Sequence, residues 1–277
     1  MTELRPNHLP VSNPVYNVGS DRSTLAEPIR RECLVSDRNL SQLDRALFGL
    51  RSLIMTGEFS SGQRLSEVAV AKMLGTSRTP LRQAMDRLVA EGLLVRIETG
   101  GCRVATFTRA DIADAIEIRG VIEGTAARMA AQRGVSTELL TQMADTLDGI
   151  DRAINDPGGM NFDCYVKRNA EFHALLAKCS GSDLIRREVE RVSLLPLASP
   201  SAFLIEQAAI PDFLDSLRYA QRQHRAILEA ITNRESARAE ALVREHARLA
   251  LINFNYLTDD QPTLVNDVPG LTLVASK

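Results

Sequence analysis

Three of the four histidines in this chain lie inside stretches of strong helical period: His173, His224 and His246. Asn169 precedes His173 by four residues, so the two side chains project from one helix face, one turn apart. His224 and His246 fall on successive helices that meet at a turn around Asn233. Nine residues run from His224 to Asn233 and 13 more to His246, which sets the two imidazoles at similar heights on antiparallel neighbours. The three rings are expected to converge in the interior of a bundle. Imidazole is the commonest side-chain ligand for zinc and similar divalent ions, and three of them with one open position suit such an ion. Three histidines that are each hydrogen-bonded separately in the core satisfy the same spacing. On another long helix Arg119 and Glu123 stand four apart, the spacing of an ordinary helix-surface ion pair worth ~0.3–0.5 kcal/mol.

A second group of residues suits a different partner. Ser77, Arg78, Thr79 and Arg82 cluster at the start of a short amphipathic helix. Arginine bonds two acceptors on guanine, and hydroxyls or helix N-terminal amides hold phosphate. The elements that position this group read directly. Leu43, Leu47, Leu50 and Ile54 mark a helix over Leu40–Thr56. Ser66 is placed to cap the next helix, with Glu67 in its first turn and Val68, Ala71 and Leu74 on one face. Gly75 supplies the left-handed stop. Ser77 is placed to cap the following helix, Pro80 lies in its first turn, and Leu81, Ala84, Met85 and Leu88 form its apolar stripe. After Gly92, two strands are expected at Leu93–Ile97 and Arg103–Thr106, joined by Thr99-Gly100-Gly101. That order is a winged helix-turn-helix, with Gly101 and Arg103 as candidate contacts in the wing.

The 277 residues suffice for two domains with cores of their own. Net charge is only −2, but its distribution is uneven. Residues 38–107 hold ten basic against six acidic side chains, and 108–257 hold 18 against 21. The positive excess therefore sits on the segment expected to meet DNA. Four cysteines without a CxxC spacing, no apolar run of transmembrane length and no signal peptide lead us to expect a cytoplasmic protein with free thiols and no membrane partner. HExxH, GxSxG and a glycine-rich phosphate loop are all missing. Glu171 is two residues from His173 and so on another face. An enzyme is not expected.

The chain divides into a polar, proline-bearing arm over 1–37, a DNA-binding segment over 38–107, a helical segment over 108–257 and a tail over 258–277. Thr108 and Asp111 form a capping box for a helix reaching about Gln132, with Ile112, Ala115 or Ile116, Ile118 or Arg119, Ile122, Ala126 and Met129 inward. Further helices are expected near 136–154, 161–179, 182–195, 212–232 and 234–256, with another between 200 and 210 and a helical turn near Glu27–Leu34. The fold class is mainly α: a winged helix-turn-helix followed by an all-α antiparallel bundle. Leu271–Val274 is apolar enough to dock on the remainder.

GTSRTPLRQAMDRLVAEGLL, with IMTGEFSSGQRLSEVAVAKML upstream, resembles the DNA-binding half of GntR-family bacterial regulators. NAEFHALLAKCSGSDLI, QRQHRAILEAI and REHARLAL resemble the signature runs of the FCD ligand-binding domain of that family's FadR-like branch. The resemblance implies that Arg78 and Arg82 contact bases or backbone, and that Ser77 and Thr79 contact phosphate. It implies a homodimer on a near-palindromic double-stranded operator. It also implies a pocket in the bundle where many members hold a metal through an Asp and three His. The histidines match His173, His224 and His246; the Asp position is Asn169, an amide that brings no charge. A divalent ion of the Zn, Ni or Mn class is expected, more weakly held. The resemblance turns Arg119, with Glu123, toward the pocket, where a guanidinium grips a carboxylate in two-point fashion. The wing departs from the family pattern by carrying Gly100 where an arginine is usual, and Ser61 stands where the loop usually has proline. The expected function is a ligand-responsive repressor released by a small organic acid. Alternatives are a metal-dependent regulator, or an architectural DNA-binding dimer with no effector.

Overall fold

The computed structural model describes residues 41–157, 159–195, 198–199, 211–259 and 270–275. The expected helical turn near Glu27–Leu34 and the helix between 200 and 210 lie outside these residues. Helix α1 (Gln42–Met55) opens on Ser41, whose hydroxyl accepts from the Asp44 amide, and it buries Ala46, Leu47, Leu50 and Ile54. Strand β1 (Arg64–Leu65) leads into α2 (Glu67–Met73), where Ser66 accepts from the Ala69 amide. Gly75, at φ 60°, lets the chain turn sharply into α3 (Arg78–Ala90). Leu81, Ala84, Met85 and Leu88 are the buried stripe of α3, as their spacing requires. Strands β2 (Leu94–Arg96) and β3 (Cys102–Val104) form the wing, with Leu94 opposite Val104 and Arg96 opposite Cys102. The sheet has three strands in the order β1-β3-β2, all antiparallel.

Two local expectations are corrected. Ser77 occupies the N-cap position of α3, but its side chain makes no capping hydrogen bond. Val68 is exposed and Val70 is fully buried, so the inward face of α2 is Val70, Ala71 and Leu74. In a helix of two turns both stripes share Ala71 and Leu74, and only the side on which α1 and α3 pack chooses between them.

Thr108 and Asp111 form the expected capping box at the head of α4 (Arg109–Arg133). Helices α5 (Thr137–Ile154), α6 (Phe162–Cys179), α7 (Asp183–Ser193), α8 (Pro211–Thr232) and α9 (Ser236–Asp259) complete the bundle. Its core is Met143, Leu147 and Ile150 of α5, Tyr165, Phe172 and Leu176 of α6, Ile227 of α8 and Val243 of α9, against the alanines of α4. The most extensive helix pairing among the described residues is α4 on α9. Glycine makes it possible: a Cβ at Gly120 would lie 2.8 Å from the Ala247 Cβ, and one at Gly124 would lie 3.1 Å from the Glu240 carbonyl oxygen. That close approach brings the polar positions of α4 up to the inner face of α9.

Residues 270–275 dock where α1, α4 and α9 meet. The Gly270 amide donates to the Met55 carbonyl at 2.8 Å, the Phe107 amide to Leu273 at 2.9 Å, and the Ala275 amide to Phe107 at 2.8 Å. Leu273 is buried in the core formed by α1 to α3 and the wing, while Leu271 is buried with Ile112, Ile116 and Phe254 of the bundle. One short apolar turn is therefore built into both cores.

Candidate functional site

His173 comes from α6, His224 from α8 and His246 from α9, and all three are buried. One nitrogen of each lies within 4.8 Å of the other two. The Nε2 atoms of His224 and His246 face each other at 3.0 Å. The far side of each ring explains this alignment. His224 Nδ1 meets Gln221 Oε1 at 3.1 Å, His246 Nδ1 meets Gln223 Oε1 at 3.0 Å, and His173 Nδ1 meets Glu123 Oε1 at 3.0 Å. Each of those oxygens only accepts, so each Nδ1 carries a proton, and in His224 and His246, which burial keeps neutral, Nε2 presents a lone pair. Burial, with the neighbouring His246 and His173, pushes His224 well below its ordinary 6.5. Burial, with His173 and Arg119, brings His246 down to about 3 against the opposing pull of Glu123.

Two unprotonated Nε2 atoms at 3.0 Å repel unless something electrophilic lies between them. Ligand nitrogens that share an ion with bonds of ~2.1 Å stand about 3.0–3.4 Å apart. The second-layer acceptors that orient the rings are those typical of metal-bound histidine. The donor set therefore fits a divalent ion. Its three imidazoles come with a neutral amide, since Asn169 is buried one turn from His173 on α6.

Beside the histidines lies a cavity of about 40 Å³, lined among others by Arg119, Tyr165, Asn169, His173, Ser216 and His246. Arg119 and Glu123 are 2% and 1% exposed, so the surface ion-pair reading of this i, i+4 pair is corrected: both side chains face inward. Arg119 Nη1 donates to the Ala198 carbonyl at 2.8 Å, while its Nε stands 3.6 Å from Glu123 Oε2. Neither that Nε nor that Oε2 has a hydrogen-bond partner among the described residues. Burial raises the Glu123 carboxyl, but His173 and Arg119 outweigh it and hold the group at about 2. It is a carboxylate at neutral pH. Of the alternatives at 118 and 119, Arg119 turns inward and Ile118 stays half exposed.

At the other end of the chain Ser77, Arg78 and Thr79 are exposed around the start of α3. Arg82 is 64% exposed and donates through Nε to Glu67 Oε2 at 2.7 Å, a contact across the turn from α2 that fixes the direction of the guanidinium. Arg103 is exposed on β3 and Gly101 is half-buried in the wing turn. Beside Arg103 in the sheet stands Arg64, whose Nη2 donates to the Gly100 carbonyl at 2.9 Å. Cys102 points inward, and burial pushes its thiol up, away from thiolate chemistry.

Sequence reasoning missed Arg64, Gln221, Gln223 and the contact between Glu123 and His173. Gln221 was within reach, being three residues from His224 on one helix face. The other three partnerships cross between elements and leave no local signal.

An exposed cationic reading helix with a wing, followed by a bundle that encloses polar ligands around a cavity, defines a DNA-binding regulator with an internal sensor chamber. The sequence comparisons agree with this class. Residues 45–104 match the bacterial regulatory proteins of the gntR family, and residues 114–249 match the FCD domain. The chain belongs to the GntR family of transcriptional regulators, with an FCD-type ligand-binding domain. It is 31% identical over 202 residues to the "Probable D-xylose utilization operon transcriptional repressor" of Paenarthrobacter nicotinovorans, spanning 70% of this chain and 80% of that protein. It is 27% identical over 190 residues to the Nta operon transcriptional regulator of Aminobacter aminovorans, spanning 68% of this chain and 82% of that protein. The solved structure of E. coli McbR/YncC shares the fold at a TM-score of 0.58 and 19% identity, covering 78% of this chain and 98% of that one. Both matched domains and these relatives belong to regulators, so the protein is a DNA-binding transcriptional regulator of the ligand-responsive kind and not an enzyme. No helix among the described residues is long and apolar enough to cross a membrane.

Proposed function

We propose that the protein is a homodimeric repressor whose two reading heads hold the half-sites of a near-palindromic operator, and whose bundle binds a small carboxylate beside a divalent ion. The observation that carries this reading is the convergence of three oriented imidazoles next to a cavity lined by Arg119. His173, His224 and His246 would hold an ion of the Zn, Ni or Mn class, with Asn169 as a neutral neighbour. When bound, that ion supplies a Lewis-acidic grip on a carboxylate oxygen. Arg119 supplies the other grip: it is buried and cationic, lines the cavity, and its Nε makes no hydrogen bond to the described residues. A 40 Å³ cavity limits the ligand to a few heavy atoms unless the bundle opens.

In the head, Arg78 and Arg82 read bases or backbone, Ser77 and Thr79 hold phosphate, and Arg103 with Gly101 serves the wing. Residues 38–107 act as the reading unit and 108–257 as the sensing and pairing unit. A ligand shifts the balance between two arrangements only by its difference in affinity for them. The joint of Phe107 with residues 270–275 gives that difference a mechanical route, since it ties α1 of the head to α4 and α9 of the chamber.

Duplexes from the chain's own genomic neighbourhood, titrated by fluorescence anisotropy with and without small organic acids and with Zn²⁺ present throughout, test the proposal. The expected result is one duplex bound specifically, an acid that weakens this binding, and the same acid raising the thermal midpoint of the free protein. Failure to prefer any duplex over random DNA at several salt concentrations overturns the repressor reading. Specific binding that no acid alters, together with an unmoved midpoint, overturns the carboxylate reading.

A further inference from the structure

We infer that Asn169 makes the metal and the acid depend on each other, so that the chamber registers the pair and not either one alone. The inference rests on the metal and carboxylate reading given above, and it concerns the charge of the chamber. Imidazoles must be unprotonated to coordinate, so His173, His224 and His246 bring no charge to an ion. Asn169, buried on the same face of α6 as His173, brings none either. The remaining buried charges cancel: the Glu123 carboxylate is committed to His173 at 3.0 Å and faces the Arg119 guanidinium at 3.6 Å. A divalent ion in this set therefore leaves two positive charges in excess, with no buried anion beyond Glu123 among the described residues to balance them.

Buried charge without a counter-charge is strongly disfavoured. A carboxylate entering the cavity supplies part of the missing negative charge beside His173, His246 and Arg119, all of which line it. Each ligand then lowers the cost of the other, and by linkage the factor is the same in both directions. With a carboxylate at position 169, the ion would be partly neutralised in advance and bind well by itself. The amide removes that independence. Metal alone, or acid alone, occupies the chamber weakly, and only the combination biases the bundle.

The test uses the full chain with Co²⁺ as the probe, followed by its absorption bands and by calorimetry. Titrations are run in sodium acetate and in sodium chloride of equal ionic strength; acetate is small enough for the cavity and competes little for free Co²⁺. For the wild type, acetate is expected to tighten Co²⁺ binding at least about tenfold. In Asn169→Asp, Co²⁺ binding in chloride should tighten and the acetate effect should shrink to about twofold or less. The wild-type comparison stands by itself should the extra buried carboxylate prevent folding of the variant. Equal Co²⁺ affinity in acetate and chloride overturns the mutual dependence and leaves the metal site in place. No Co²⁺ bound in either salt, or identical binding by His224→Ala, overturns the metal reading along with it.

Discussion

The reading head and the histidine chamber achieve binding by opposite means. The head collects Ser77, Arg78, Thr79 and Arg82 from six consecutive residues and leaves them in water, where the Arg82–Glu67 pair aims one of the four. The chamber collects Arg119, Glu123, Asn169, His173, His224 and His246 from four helices and removes them from water. An exposed cation keeps its hydration until it meets phosphate or a base edge, so the head needs little preorganisation and gains from numbers. A buried imidazole has lost its hydration in advance. Every ring nitrogen must then have an assigned partner, which is why Glu123, Gln221 and Gln223 stand behind the three rings. Loss of one group is therefore expected to be partial in the head and close to complete in the chamber.

The sharpest test of that contrast is His224→Ala. Metal affinity is expected to fall by more than about 100-fold, since a ligand is lost and the loss of an orienting partner alone costs 10–100-fold. Affinity of the ligand-free protein for operator DNA should stay within about threefold. Metal analysis and anisotropy on the same preparation measure both, with His224→Gln as a better-filling control for folding. Metal content equal to that of wild type removes His224 from the site.

Acid should next separate the two regions. His246 titrates at 6.5 when unfolded and at about 3 when folded, so the unfolded chain takes up the proton first as pH falls. The stability contributed by the neutral ring is fully present above pH 6.5 and is lost progressively down to about pH 3. His246 alone removes roughly 3 kcal/mol by pH 4.5 at about 1.4 kcal/mol per unit. Glu123, at 4.5 unfolded and about 2 folded, adds a loss of the same sign below pH 4.5. Denaturant midpoints of the metal-free protein between pH 7 and 4.5 report this. His246→Gln should flatten the curve, and an unchanged slope would show that the ring is not buried in neutral form.

Arg82→Ala should weaken specific operator binding about 10–100-fold, the worth of ~1–3 kcal/mol for one base contact, with the thermal midpoint nearly unmoved because its pair with Glu67 is exposed. Unchanged operator affinity rejects the assigned role. Arg64→Ala should have the smallest effect, a loss of a few-fold that is uniform across sequences, with the salt slope reduced by about one. That result would place a phosphate contact at the wing, where Arg64 is bonded to the Gly100 carbonyl. A sequence-selective loss would instead make Arg64 a base reader.

The head was legible because its signals are local. A cap at Ser66, a left-handed stop at Gly75 and a stripe of Leu81, Ala84, Met85 and Leu88 are each set within one or two turns of chain. Val68 and Val70 mark the limit: a helix of two turns offers two stripes, and the partners beyond it decide. In the chamber, helical period placed Asn169 with His173, and a hairpin count placed His224 level with His246. The same reasoning paired Arg119 with Glu123 and had no means of seeing that Glu123 also serves His173 from 50 residues away. Strand β1 was invisible because two residues carry no period, and with it went the approach of Arg64 to the wing.

Composition, period and spacing alone therefore determined the long helices and the two wing strands, most of their buried faces, and that three imidazoles lie on helices able to bring them to one interior. These are properties of the chain at the scale of a few turns, set by backbone geometry and by the transfer of apolar groups out of water. Tertiary structure decided which ring nitrogen faces which acceptor, that the Arg119–Glu123 pair is turned inward, and that residues 270–275 are shared by two cores. Those choices depend on how closely α4 approaches α9, and that distance is set by what packs at Gly120 and Gly124, not by any periodicity in either helix.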